Sequence, residues 1–127
     1  MTLYAFIAVG LGAAIGSWLR WGLSVWLNAT LPELALGTLC SNLIGGYLIG
    51  LAVAFFMQQP ELSPEWRLFI ITGFLGGLTT FSTFSAETVI LLARGQYAWS
   101  VATIAAHLGG SLLMTVLGMQ TFKWLQQ

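Results

Sequence analysis

The sequence predicts an all-α membrane protein of four transmembrane helices, and three observations predict it. Of its 127 residues, 57% are hydrophobic and only 6% are charged, with a mean hydropathy of +0.86, too little polar surface to coat a soluble globule. Four apolar runs, at about residues 3–27, 34–57, 67–93 and 99–122, each reach the roughly 20 residues that a bilayer core requires. Short segments between them hold all three prolines and half of the charges. Residues 1–127 therefore read as a single four-helix transmembrane domain with no room for a soluble one.

The first run starts without Lys or Arg and stays apolar too long for a cleaved signal peptide, so it reads as a mature helix. Its Gly12-Ala-Ala-Ile-Gly16 stretch puts two glycines one turn apart on one face, which predicts close helix approach. Arg20, near its end, is assigned an electrostatic role at one vestibule, since a charge at that depth snorkels or finds a partner. Helix 2 carries a second such pair in Gly46-Tyr-Leu-Ile-Gly50. Its Asn42 amide costs energy in hydrocarbon unless paired. It has three open uses: donating to an anion, capping a break in helix 3, or making a plain interhelical hydrogen bond. Cys40 lies in an apolar run and reads as a small packing residue.

Helix 3 is the unusual one. Between Thr72 and Ser85 it places three glycines and six hydroxyl residues where a uniform span gains nothing from them. Adjacent glycines weaken a helix and hydroxyls satisfy freed backbone groups, so helix 3 is expected to break at mid-membrane, near Gly76 to Thr80. Broken backbone at that depth is tolerated only where it is buried in protein or faces an aqueous or ionic site. Unwound carbonyls suit a hard cation such as Na⁺, whereas the positive ring edges of Phe81 and Phe84 suit a small anion. Glu87 follows, read either as sitting beside that ion path or as an interfacial carboxylate satisfied by water or by Thr83 one turn back. In helix 4, His107, Ser111 and Thr115 recur every four residues and line one face, either as a track for a partly dehydrated ion or as separate interhelical contacts.

The connectors 28–33, 58–65 and 94–96 carry Pro and Gly turn chemistry, and Trp18, Trp21, Trp26, Trp66, Trp99 and Trp124 cluster near the predicted helix ends, at headgroup level. Four basic and four acidic residues cancel, which excludes a nucleic-acid partner. Arg20 and Arg94 fall on one side of the membrane, Arg67 and Lys123 on the other. That even split gives the positive-inside rule almost nothing to act on, so the chain is expected to insert both ways and pair as an antiparallel, dual-topology homodimer.

Gly12-Ala-Ala-Ile-Gly16 with Arg20-Trp21, Gly37-Thr-Leu-Cys-Ser-Asn-Leu-Ile-Gly45 and Gly73-Phe-Leu-Gly-Gly-Leu-Thr-Thr-Phe-Ser-Thr-Phe84 closely resemble the Fluc (CrcB) family of bacterial fluoride channels, across essentially the whole chain. The resemblance implies a multi-pass protein of the bacterial plasma (inner) membrane, an antiparallel homodimer whose two pores passively export fluoride from the cytoplasm. It implies a central structural Na⁺ at the dimer interface, held by backbone carbonyls at positions matching Gly76 and Thr79. By the same resemblance Phe81 and Phe84 are pore phenylalanines, Asn42 is a pore-lining donor, and His107, Ser111 and Thr115 form the polar track, although some relatives have tyrosine at the position of His107.

Three rival classes stand beside that reading, the third being a purely structural assembly subunit, which predicts no conductance at all. A proton-coupled small multidrug-type transporter, the alternative function, needs a carboxylate deep in helix 1, and helix 1 has no Asp or Glu. A membrane enzyme lacks support from any Ser/His/Asp set, metal-ligand cluster or pair of buried carboxylates.

Overall fold

Side chains fasten the starts of the first two spans, and proline and glycine backbone chemistry marks the boundaries around the third. In the computed structural model, which describes residues 1–127, α1 runs Leu3–Leu27 and is capped by Thr2, whose hydroxyl accepts from the Ala5 amide at 3.1 Å. Asn28 follows, and its Oδ1 accepts from the Gly37 amide at 2.7 Å, satisfying one orphan donor at the start of α2, Leu36–Met57. The third span, α3, is Pro64–Ala93. Proline at its first position needs no hydrogen-bond partner there, which is why α3 starts ahead of the apolar run beginning at Arg67. It ends on Gly95, whose φ of 72° lets the Gln96 amide reach Leu91 O at 2.9 Å and the Gly95 amide reach Leu92 O at 3.0 Å. The fourth span, α4, is Tyr97–Leu125. No strand is present, and all four helices are long and apolar enough to cross a membrane.

Two of the spans are irregular. α3 is wound as a π-helix over Leu68–Leu75, returns to α over Gly76–Leu78, leaves helical geometry at Thr79 and Thr80, and resumes at Phe81–Ala93. Residues 64–78 are called α3a here and Phe81–Ala93 α3b. Thr79 (φ −89°, ψ 153°) and Thr80 (φ −150°, ψ 115°) are both extended. The break is thus narrower than the Gly76 to Thr80 stretch read from the sequence, because the Thr79 amide still closes on Leu75 O at 3.0 Å and keeps both glycines helical. α4 carries a second π segment at Ala105–Gly109, around His107. π-helical turns inside α-helices are frequent at functional sites.

Packing runs by pairs, α1 against α3a and α2 against α4, and glycine sets both distances. A methyl group at Gly16 would overlap the Phe74 carbonyl, and one at Gly12 the Phe69 carbonyl. Across the other pair, a methyl at Gly50 would overlap Thr115 O and one at Gly118 would overlap Tyr47 O. The most completely buried side chains are correspondingly small and polar, Thr38, Ser41, Ser100 and Thr103, and beside them Phe56, Leu75, Leu78, Phe84 and Leu91 are buried too. Large apolar groups such as Phe6, Trp21, Leu112 and Val116 face outward. Without a hydrophobic drive between helices in lipid, close backbone approach and polar contacts are what remain to hold them together.

The glycine contacts make a sharp prediction. Gly50→Ala should lower stability by about 1–3 kcal/mol through overpacking against backbone, read as a lower unfolding midpoint in detergent. Gly22→Ala, where nothing lies within 4 Å of the added methyl, should leave the midpoint unchanged or slightly raised.

Candidate functional site

At the break in α3, a single side chain from α2 takes over the hydrogen bonding that the helix gives up. Asn42 Oδ1 accepts from the Thr80 amide at 2.8 Å, and Asn42 Nδ2 donates to the Thr80 carbonyl at 3.1 Å. The backbone N–H is a donor only, so it fixes the amide's orientation: oxygen toward Thr80 N, nitrogen toward whatever else it meets. That other contact is His107 Nδ1, at 2.9 Å. Nδ1 therefore accepts, and the ring carries its hydrogen on Nε2. Both Asn42 N–H groups are used within the chain, so of the three uses open to this amide the structure shows it capping the break and bridging to α4.

The rings follow from this placement. His107 is buried and stacks on Phe84, centroids 4.7 Å apart at 28°. Phe84 meets Phe81 edge to face at 5.4 Å and 68°. Phe84 is 6% exposed, but Phe81 is 70% exposed on the chain's surface. Thr80 caps the resumed helix, its Oγ1 accepting from the Thr83 amide at 3.2 Å, and this fixes the direction in which α3b presents both phenylalanines.

Beside these groups runs an open groove of about 440 Å³ lined by Asn42, Gly76, Thr79, Thr80, Phe81, Phe84, His107, Ser111 and Thr115, among others. The three polar positions on α4 face it but are not equivalent. Thr115 Oγ1 donates back to Ser111 O and across to Gly46 O, both at 3.0 Å. Ser111 has no hydroxyl contact among the chain's side-chain hydrogen bonds, so its O–H is free to donate. Arg20, placed at a vestibule by the sequence, reaches the end of α3a, its Nε donating to Gly77 O at 2.9 Å. A cation is favourable there because the helix C-terminus carries partial negative charge.

Backbone oxygen is released at the same point. In an unbroken helix the Thr80 amide would close on the Gly76 carbonyl; here it turns to Asn42, and Thr79 is extended. Gly76 and Thr79 both line the groove. Their carbonyls are hard oxygen donors of the kind that replace the hydration shell of an alkali cation, so the donor set fits Na⁺. No group of three or more His, Cys, Asp or Glu side chains converges anywhere.

Glu87 lies beyond His107, on α3b, and accepts from Thr38 Oγ1 at 2.8 Å. Thr38 and Thr103 escaped the sequence reading, although the signal was there: Thr38 stands four residues before Asn42 and Thr103 four before His107, each on the polar face of its helix.

Four lipid-length helices around a polar, helix-broken groove define a multi-pass membrane protein of the channel or transporter class. Residues 7–119 match the family described as CrcB-like protein, Camphor Resistance (CrcB). Over 127 residues, all of this chain and 99% of the relative, it is 63% identical to a protein of Nitrosospira multiformis named "Fluoride-specific ion channel FluC". Relatives of the same name from Pseudomonas putida (59% over 123 residues, 97% of each chain) and Cupriavidus pinatubonensis (62% over 120 residues, 94% of this chain and 95% of the relative) match comparably. The chain belongs to the CrcB (Fluc) family and is not an enzyme.

The unequal hydroxyls can be told apart by stability. Thr115→Val should cost about 1 kcal/mol, the net worth of a buried hydroxyl hydrogen bond, while Ser111→Ala should leave the unfolding midpoint unmoved; thermal unfolding in detergent reads both.

Proposed function

We propose that this chain conducts fluoride passively out of the cytoplasm, as one half of an antiparallel, dual-topology homodimer in the bacterial plasma membrane. The observation that carries the reading is that Phe81, Phe84, His107 and Ser111 together line one groove beside the α3 break. The relatives' names point the same way.

Fluoride is small and strongly hydrated, so a path must replace its water with fixed donors. His107 and Ser111 supply hydrogens, and Phe81 and Phe84 supply positive ring edges. Asn42 acts by holding His107 and the Thr80 backbone still, preorganising the path before the ion arrives. Arg20 adds positive charge at the end of α3a, and Glu87, beyond His107, borders the path where it leaves the groove. Thr115 shapes the groove through its two carbonyl contacts.

Pairing with an inverted copy is supported by the even division of Arg20, Arg94, Arg67 and Lys123 and by the exposure of Phe81 on a polar groove that a single chain leaves open. Phe81 then serves the path completed by the second copy, and Phe84, packed on His107, serves that of its own chain. Such a dimer brings the α3 breaks of both copies together at the bilayer midplane. The Gly76 and Thr79 carbonyls of each copy would hold the central Na⁺, which supplies positive charge and ties the two inverted halves together.

The test is fluoride efflux from liposomes, followed with a fluoride electrode and compared with chloride. The unmodified protein should release fluoride and retain chloride. Phe81→Ile and Ser111→Ala should each slow fluoride release about tenfold or more, as expected if each removes an interaction of about 1.4 kcal/mol with the ion, without unfolding the protein. Thr115→Val should slow it less than Ser111→Ala. Equal rates in all variants would exclude the assigned roles, and absence of fluoride release by the unmodified protein would exclude the reading.

A further inference from the structure

Most glycines at the helix contacts of this chain face backbone, but Gly45 faces a side chain. It is buried on α2, and a methyl group added there would overlap Thr79 Cγ2, with Thr79 Cβ at 3.6 Å and Leu78 Cδ2 at 3.9 Å in ordinary contact. A single atom therefore occupies the place of a side chain at residue 45. That atom is the methyl group of Thr79, the first extended residue of the α3 break.

The methyl group cannot simply turn aside. Thr79 is β-branched, so its methyl and hydroxyl rotate together about one bond. Its Oγ1 donates to Leu75 O at 2.8 Å, and its amide reaches the same carbonyl at 3.0 Å. Rotating Cγ2 away from Gly45 would take the hydroxyl off that carbonyl at the end of α3a. Helix α2 thus holds both extended residues. Asn42 fastens Thr80 by hydrogen bonds to its N–H and its C=O, and Gly45, three residues further along the same helix face, bears on Thr79 by contact alone. The two carbonyls end differently. That of Thr80 is taken by Asn42, whereas that of Thr79 accepts no hydrogen bond within the chain, and Thr79 lines the groove together with Gly76.

We propose that Gly45 is a positioning residue for the cation site: its missing side chain lets the Thr79 methyl seat against α2, and that seat fixes the direction of the unpaired Thr79 carbonyl. The inference rests on the Na⁺ reading above and adds to it a residue that touches no ion. An oxygen donor held in place beforehand loses less freedom when the ion arrives, so loosening it weakens binding. Alanine at residue 45 pushes Thr79 out of the seat. Serine at residue 79 keeps the hydroxyl bond but empties the seat. Both changes together move one methyl group from residue 79 to residue 45 at constant volume, the kind of exchange that packed interiors tolerate best.

Thermal unfolding in detergent tests this without any flux, at fixed protein concentration and ionic strength, with Na⁺ replaced stepwise by a bulky organic cation. An ion that binds only the folded protein raises the midpoint as its concentration passes its Kd, so the series gives the Na⁺ requirement of each variant. The unmodified protein should gain stability with Na⁺. Gly45→Ala and Thr79→Ser should each need about tenfold more Na⁺ for the same gain, and Gly45→Ala/Thr79→Ser should return to within about twofold of the unmodified protein, since the two sites are coupled. Gly50→Ala, whose methyl meets Thr115 backbone instead, should lower the midpoint with its Na⁺ requirement unchanged. An unchanged Na⁺ requirement in either single variant, or a double variant that recovers nothing, overturns the positioning role. If Gly45→Ala does not fold, Thr79→Ser against the double variant decides, because only the refilled seat should bring the Na⁺ requirement back down. If the unmodified protein gains nothing from Na⁺, the cation reading itself fails and the positioning role falls with it.

Discussion

One amide holds this structure's unusual feature in place. A helix that stops inside an apolar span leaves backbone groups with no water to satisfy them, at a cost of several kcal/mol per group in hydrocarbon. Asn42 answers the Thr80 N–H and C=O together and reaches His107 with its remaining hydrogen. Three helices, α2, α3 and α4, thus meet at one side chain. The orientation of His107, the stacking of Phe84 on it, and the edge contact with Phe81 all follow from that fixed point. A neutral amide suits the task, because a carboxylate would offer no donor to the carbonyl and a hydrocarbon side chain would offer nothing to either group.

The rest of the fold brings the helices close enough for that contact to form. Gly46, Gly50 and Gly118 let α4 lie against α2, and Gly12 and Gly16 let α3a lie against α1. Small residues at the interfaces leave hydroxyls such as Thr38, Ser41 and Ser100 buried among a few apolar side chains such as Phe56, Leu75 and Leu78, while most aromatic and aliphatic groups lie on the surface. Hydroxyls that close on their own helix, as Thr88 does on Phe84 O at 2.8 Å, are structural. Ser111, which makes no such bond, keeps its hydroxyl free to donate beside the groove it lines. Glycine packing therefore links to function through register, because the offset between α2 and α4 decides which hydroxyls face which partners.

The spans were legible because hydropathy and length alone define them. The helix ends were less so: Pro64 and Tyr97 belong to helices but not to apolar runs. The break in α3 was legible as a region but not to the residue. Gly76 and Gly77 invite it, yet tertiary packing keeps them helical, with a methyl at Gly77 overlapping the backbone of Ala13, and the chain departs only at Thr79. Asn42 illustrates the limit best. Its residue type shows that a partner is needed, but which of its groups meets which partner depends on a contact 38 residues away in sequence. The difference between Thr115 and Ser111 is of the same kind, since both belong to the same periodic row and only the position of Gly46 O separates them.

The most direct measurement of the central claim is hydrogen–deuterium exchange at the Thr80 amide, followed by NMR in lipid nanodiscs, in the unmodified protein and in Asn42→Leu. If Asn42 fastens the break, the Thr80 amide is protected in the unmodified protein and exchanges at least about tenfold faster in the variant, the expected effect of losing a hydrogen bond worth about 1.4 kcal/mol. The α2–α4 amides near Gly50 and Gly118 should keep their protection. Equal exchange at Thr80 in both proteins would mean that something other than this amide holds the break.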